Sequence, residues 1–319
     1  MNNSAGAIVW MVLVWGTSGF LFAADELPAP ADVATEQVLV VPKYCEGVVF
    51  DHHGYGYISW GDTITRFTPD GKHNDWAKTG APNGHKVLAD GTHLVCDASQ
   101  HAVLHLDAEG KLLGAASWQC EGKPLRGPND LSLDPHGGFY FTDPGGSSDT
   151  NPIGTVHYVD MAGKTHLIDE GLAFPNGIVL RPGGKILLVA ESKQNRILEY
   201  EVLAQGKVGK RRVFAELPKK DEAAGQIDNQ PDGMCLDAAG NLYVAHYGMK
   251  QVQVLDPAGK LIARYDGGNL TTSNVAFGGP ETDTLYITGG LGQEAGGGGL
   301  FRIPLGVKGL VILPPEAGK

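Results

Sequence analysis

A single pattern recurs along this chain and limits what it can fold into. Its clearest copy spans residues 230–247, QPDGMCLDAAGNLYVAHY. Met234 and Leu236, then Leu242, Tyr243 and Val244, form apolar runs too short for helices. Ala239-Gly240-Asn241 between them is a hairpin turn signal. Pro231-Asp232-Gly233 stands just ahead of the first run. The Pro stiffens the approach and the Gly lets the backbone come close, so a carboxylate is placed at the mouth of a strand.

The same turn–strand–turn–strand frame can be written at Glu46-Gly47, Gly84-His85, Pro128-Asn129-Asp130, Pro175-Asn176-Gly177, Pro231-Asp232-Gly233 and Ser273-Asn274. The copies are spaced by roughly 40 to 55 residues, a period that marks a repeat architecture. After each pair come two more strand-like segments, such as Val103 to Asp107, Val156 to Val159, Ile197 to Tyr200 and Val252 to Leu255. No window holds a sustained apolar spacing of 3.6. The expected fold is all-β: a six-bladed β-propeller of four-stranded antiparallel blades. An open ring leaves an exposed edge. Val38 to Val41 is therefore expected to complete the last blade beside Leu300 to Ile303. One propeller domain over 35–319 follows, preceded by a linker at 25–34.

Residues 1–24 carry no charged side chain, and Ala7 to Trp15 is continuously apolar. This segment is expected to be a signal peptide or an N-terminal anchor, which implies an exported protein, periplasmic or secreted. The formal charge is -11 with no basic run, which argues against a nucleic-acid partner. No membrane association is expected beyond a possible anchor. An acidic surface without a long apolar stripe is consistent with a monomer. Glycine supplies 46 residues, as many tight turns require. Cys45, Cys96, Cys120 and Cys235 lack zinc-knuckle spacing and are read as buried free thiols, although an even count permits disulfides.

In a propeller, equivalent positions of successive blades meet around the axis. Glu46, Asn129, Asn176 and Asp232 share one repeat position and would form an all-oxygen set. Such a set suits a hard divalent cation, Ca²⁺ first, with Mg²⁺, Mn²⁺ or Zn²⁺ as alternatives. Taken singly, Asn or Asp before Gly is ordinary turn chemistry; the shared phase is what lifts the set. No Gly-x-Ser-x-Gly elbow, phosphate loop or His-Glu-x-x-His is present, so nucleophilic serine, nucleotide and zincin chemistries have no support.

The chain resembles the gluconolactonase/regucalcin-like family of six-bladed propellers. The residues that carry the resemblance are Glu46-Gly47, Gly127 to Asp130, Phe174 to Gly177, Pro231 to Cys235 and Asn274 to Gly279. It implies that Glu46, Asn176 and Asp232 bind one divalent cation, and that Asn129 binds either the metal or substrate. It also implies a small-molecule lactone as substrate, with a sugar lactone such as gluconolactone first. Some sugar-lactone members carry an Arg two residues before the Asn of the third blade. Here that place is Gly127, and Arg126 lies one further back. Phe141 to Pro144 resembles the subgroup of drug-responsive bacterial lactonases. In the expected mechanism the cation polarises the lactone carbonyl and Asp232 acts as general base toward the attacking water. Arg126, Asp143, His85, His246 and Asn274 are candidate substrate contacts. The competing role for Asp143 is a loop cap, for His246 a hydrogen bond inside its blade, and for Asn274 a turn. The competing function is a non-catalytic ligand- or protein-binding propeller.

Overall fold

The computed structural model describes residues 26–220, 228–292 and 296–310. The expected signal peptide or anchor lies outside the described residues. Among those described, no helix is long and apolar enough to cross a membrane.

Six antiparallel blades form the ring. Their innermost strands are Cys45–Phe50, Pro82–Val87, Leu131–Leu133, Pro175–Leu180, Gln230–Leu236 and Thr271–Gly278. Each of these touches the innermost strands of the two neighbouring blades, and the sixth returns to the first. The first blade continues outward through Gly56–Trp60, Thr63–Phe67 and His73–Lys78, and the other blades repeat that order. Blade four carries one addition, a short Lys207–Val208 pairing with the far end of Arg196–Ala204. The last blade contributes Thr271–Gly278, Thr284–Gly290 and Gly298–Pro304 from the end of the chain. Its outermost strand is Glu36–Val41, paired antiparallel to Gly298–Pro304. The ring is thus closed by the N-terminal strand, as the repeat requires.

The core is divided between blades. One apolar cluster fills each interface, for example Tyr140, Val156 and Tyr158 of blade three against Leu187, Val189 and Leu198 of blade four. Both faces of every inner strand are therefore covered, which explains why these runs read as continuously apolar rather than alternating. Four hairpins, one inner and three outer, repeat one device. Asp51, Asp107, Asp160 and Asp256 each accept backbone N–H bonds from the residues two and four places on. The Gly three places after each of them has positive φ, which the turn needs and other residues resist.

The expected linker is anchored. Leu27 and Val33 pack against the cluster between blades five and six, and the Tyr265 hydroxyl donates to the Pro28 carbonyl at 2.8 Å. All four cysteines are free; Cys45, Cys96 and Cys120 are buried.

Candidate metal centre on the propeller axis

The six strand entrances align in register. In blades one, two, four and five a ladder shift falls in the same place, between Cys45/Val48, Pro82/His85, Pro175/Ile178 and Pro231/Met234. The equivalent triplets are therefore Cys45-Glu46-Gly47, Pro82-Asn83-Gly84, Pro128-Asn129-Asp130, Pro175-Asn176-Gly177, Pro231-Asp232-Gly233 and Thr272-Ser273-Asn274. Two expected phases are corrected by this register. The second-blade anchor is Asn83, not Gly84, and the sixth is Ser273, not Asn274. The signal for the first was present, since Pro82-Asn83-Gly84 repeats Pro175-Asn176-Gly177 letter for letter.

Hydroxyls latch four of the six entrances to a neighbouring blade. Ser59 Oγ donates to Asn83 O at 2.9 Å, and Thr142 Oγ1 donates to Asn176 O at 2.7 Å. Ser192 Oγ donates to Pro231 O and Ser273 Oγ to Cys45 O, both at 2.6 Å. The residue after the anchor is Gly in four blades because the neighbouring backbone passes there. A Cβ on Gly47 would lie 2.2 Å from Asn83 O, and one on Gly177 would lie 2.3 Å from Asp232 O. Blades three and six carry Asp130 and Asn274 instead, and these side chains fill the space beside Gly84 and Gly233.

The anchors converge electrostatically. Asp232 is buried, and burial, then the charges of Glu46 and Asp130, push its carboxyl well above the usual range. A hydrogen bond from Asn176 works against that rise. Residues of blades one, three, four and five thus act on one point. Asn176 Oδ1 is buried and accepts no hydrogen bond from any described residue, an arrangement that normally implies a missing partner. A buried carboxyl under the charge of neighbouring carboxylates, beside an unpartnered amide oxygen, fits a hard divalent cation. No three His, Cys, Asp or Glu side chains cluster as metal donors among the described residues, so amide oxygens must complete any such set. Tyr44 also belongs to the site. Burial, then Glu46 and Asp232, raise its phenol well above the ordinary value, and its ring meets Tyr247 edge-on at 6.4 Å. Neither tyrosine was a sequence candidate, because both lie outside the apolar strand pattern.

The other candidates separate. Asp143 accepts from Arg126 N at 2.9 Å and Gly127 N at 2.7 Å. Asp97 does the same for Gly80 N and Ala81 N, and Glu191 for Ala173 N. All three end the second strand of their blade, so Asp143 is a repeated loop clamp. Arg126 turns its exposed guanidinium to the Ile153 carbonyl. His85 is packed between blades one and two, 2.7 Å from His93 and against Tyr57 and Trp76. His246 is fully buried and bonds Asn195 Oδ1 at 2.9 Å. Burial holds it near about 3, so it is neutral. Asn274 Oδ1 accepts the N–H of Val275 at 2.8 Å, the local turn role. His85 Nδ1 and His246 Nδ1 have no hydrogen-bond partner among the described residues.

Comparison with known proteins agrees with this architecture. The family model of the SMP-30/gluconolactonase/LRE-like region matches residues 45–290. A lactonase (drp35) of Staphylococcus saprophyticus is 31% identical over 286 residues, covering 83% of this chain and 84% of the relative. The diisopropyl-fluorophosphatase of Loligo vulgaris is 27% identical over 293 residues, covering 82% and 90%. Among solved structures, a gluconolactonase from Xanthomonas campestris superposes with TM-score 0.73 at 24% identity, over 87% of this chain and 91% of the other. A calcium-binding regucalcin from Agrobacterium tumefaciens gives TM-score 0.73 at 22% identity, over 89% and 97%. With the family match spanning most of the chain, this protein belongs to the SMP-30/gluconolactonase/LRE-like family.

Proposed function

We propose that this protein is a divalent-cation-dependent lactonase whose site is the acidic ring on the propeller axis. The observation that carries the reading is the buried Asp232, which feels the Glu46 charge, beside Asn176 with its unpartnered Oδ1. Glu46, Asn129, Asn176 and Asp232 would hold the ion, Ca²⁺ first. When bound, it supplies Lewis-acid polarisation of the substrate's carbonyl oxygen. The relatives support the substrate class, since they include a lactonase, a gluconolactonase from Zymomonas mobilis and a fluorophosphatase.

The chain's own groups supply the rest. Asp232 is the carboxylate placed to take a proton from the attacking water, and the Asn176 amide holds it in orientation. Tyr44 and Tyr247 give the site an aromatic wall, which would position an apolar ring face and limit access of bulk water. The hydroxyl latches keep the entrances from drifting, as a positioned site demands.

The test is hydrolysis of aldonolactones, glucono-1,5-lactone among them, and of aliphatic lactones, with chelated protein and with Ca²⁺, Mg²⁺, Mn²⁺ or Zn²⁺ restored. Turnover should vanish on chelation and return with one ion. Asp232→Asn should lower kcat by about a hundredfold or more, the usual scale for losing a general base. Activity that survives both exhaustive chelation and Asp232→Asn would sink the reading. Tight ion binding with no lactone turned over would keep the site and discard the substrate.

A further inference from the structure

Along the propeller axis, beginning two residues below the anchors, runs a cavity of about 170 Å³. Val48, Ile178, Met234 and Val275 from four different blades supply apolar wall, and Asp51, Lys86, Ser132 and Thr282 supply polar groups. One cation faces it. Lys86 lies part-buried on the innermost strand of blade two and lines this cavity. It forms no ion pair with any described residue. A part-buried ammonium is costly unless negative charge compensates it, and Asp51 lines the far end of the same cavity. The compensation lies above. Asp130 is seated on Gly84, two residues before Lys86 on the same strand, where a Cβ would come 2.4 Å from Asp130 Oδ1. Asp130 is buried, and its carboxyl accepts the Leu131 N–H at 2.8 Å and is also met by the Ile178 N–H.

We propose that Lys86 is the counter-cation of the acidic floor and sets how tightly the axial site holds a divalent ion. This inference rests on reading Glu46, Asn129, Asn176 and Asp232 as a cation site. Glu46 of blade one and Asp130 of blade three both act on Asp232 of blade five. A divalent ion would meet this acidic floor from above, and the Lys86 ammonium lies on the strand below it. In the ion-free protein Lys86 is the sole positive charge among the described residues that line the axial cavity. Its charge is felt by Asp130 and by the thiols of Cys96 and Cys235, which belong to three different blades. It therefore does two opposed things. It stabilises the empty site, and it repels the incoming ion, because like charges in a low-dielectric interior are poorly screened.

The test uses Lys86→Met, which keeps the stem and removes the charge, and Lys86→Arg, which keeps the charge. Ca²⁺ binding is followed by calorimetry, and thermal unfolding is followed in chelator and at saturating Ca²⁺. Lys86→Met should bind Ca²⁺ roughly tenfold more tightly, the factor a single screened charge interaction supplies. Its unfolding temperature should fall in chelator, and its gain on adding Ca²⁺ should exceed that of the unaltered protein. Lys86→Arg should behave as the unaltered protein. If Lys86→Met fails to fold, Lys86→Gln carries the same expectation. Unchanged Ca²⁺ affinity in the charge-free variants overturns the proposal, as does an equal loss of stability with and without Ca²⁺. Failure of the unaltered protein to bind any divalent ion would instead bring down the cation reading itself, a result visible before any variant is made.

Discussion

The buried histidines show how single residues in this protein are constrained. Burial holds His93 and His157 near about 4 and His246 near about 3. Each is therefore neutral in the fold at pH 7. For this reason the 4.0 Å approach of His157 to Asp143 is not an ion pair. A depressed imidazole means that the unfolded chain binds protons first. Stability is then complete above the ordinary imidazole value of about 6.5 and falls as pH drops toward the folded values. At pH 5.5 these three together should cost about 4 kcal/mol, and His85, which burial shifts in the same direction, adds to that loss. The raised Asp232 carboxyl acts in the opposite sense, favouring the fold at low pH, so it cannot produce this loss. Urea unfolding at pH 7.5 and 5.5 measures the effect, and His246→Gln should remove about a quarter of it. Equal midpoints at the two pH values would show that these rings are hydrated after all. The same burial bears on chemistry: an imidazole whose proton affinity burial depresses this far is a weak base.

Among the elements, the innermost strands are the ones that leave least room. They approach closely because Gly follows the anchor in four blades. The atoms facing Gly47 and Gly177 are backbone, which cannot turn aside as a flexible side chain can. Gly47→Ala or Gly177→Ala should cost about 3 kcal/mol or more, through displaced strands rather than lost contacts. At Gly292 a Cβ would meet no described atom within 4 Å, and its φ is not in the left-handed region, so Gly292→Ala should leave the unfolding temperature almost unmoved. Comparing the three by thermal unfolding separates ring closure from the general effect of losing a glycine. The strand entrances also explain why Asp143 reads as functional in sequence. Asp97, Asp143 and Glu191 are one repeated clamp, visible only when the hydrogen bonds to the loop N–H groups are seen.

For the whole molecule, closure is the decisive feature. The outermost strand of the last blade comes from the start of the described chain, with Arg302 Nε on Glu36 at 2.9 Å and with Leu39 and Val41 buried. Replacing Leu39 and Val41 by Asp should release this strand and expose the edge of Gly298–Pro304, a template for association. Lower unfolding temperature together with larger species by light scattering is expected. A monomer of unchanged stability would mean that the ring does not depend on its closing strand. Much of this architecture was legible beforehand. Repeat period, turn residues and short apolar runs are local properties, and local steric and hydrophobic preferences act on each copy alike. Blade number, closure and the phase of Glu46, Asn129, Asn176 and Asp232 could therefore be read from the chain. The offsets at Asn83 and Ser273 could not, because the ladder shift that sets them arises only when two strands pair. Likewise Lys86, Asp130 and Tyr44 gained their meaning in three dimensions. Charge acts through space, and only closing the ring brings residues of separate blades close enough, and far enough from water, to act on one another.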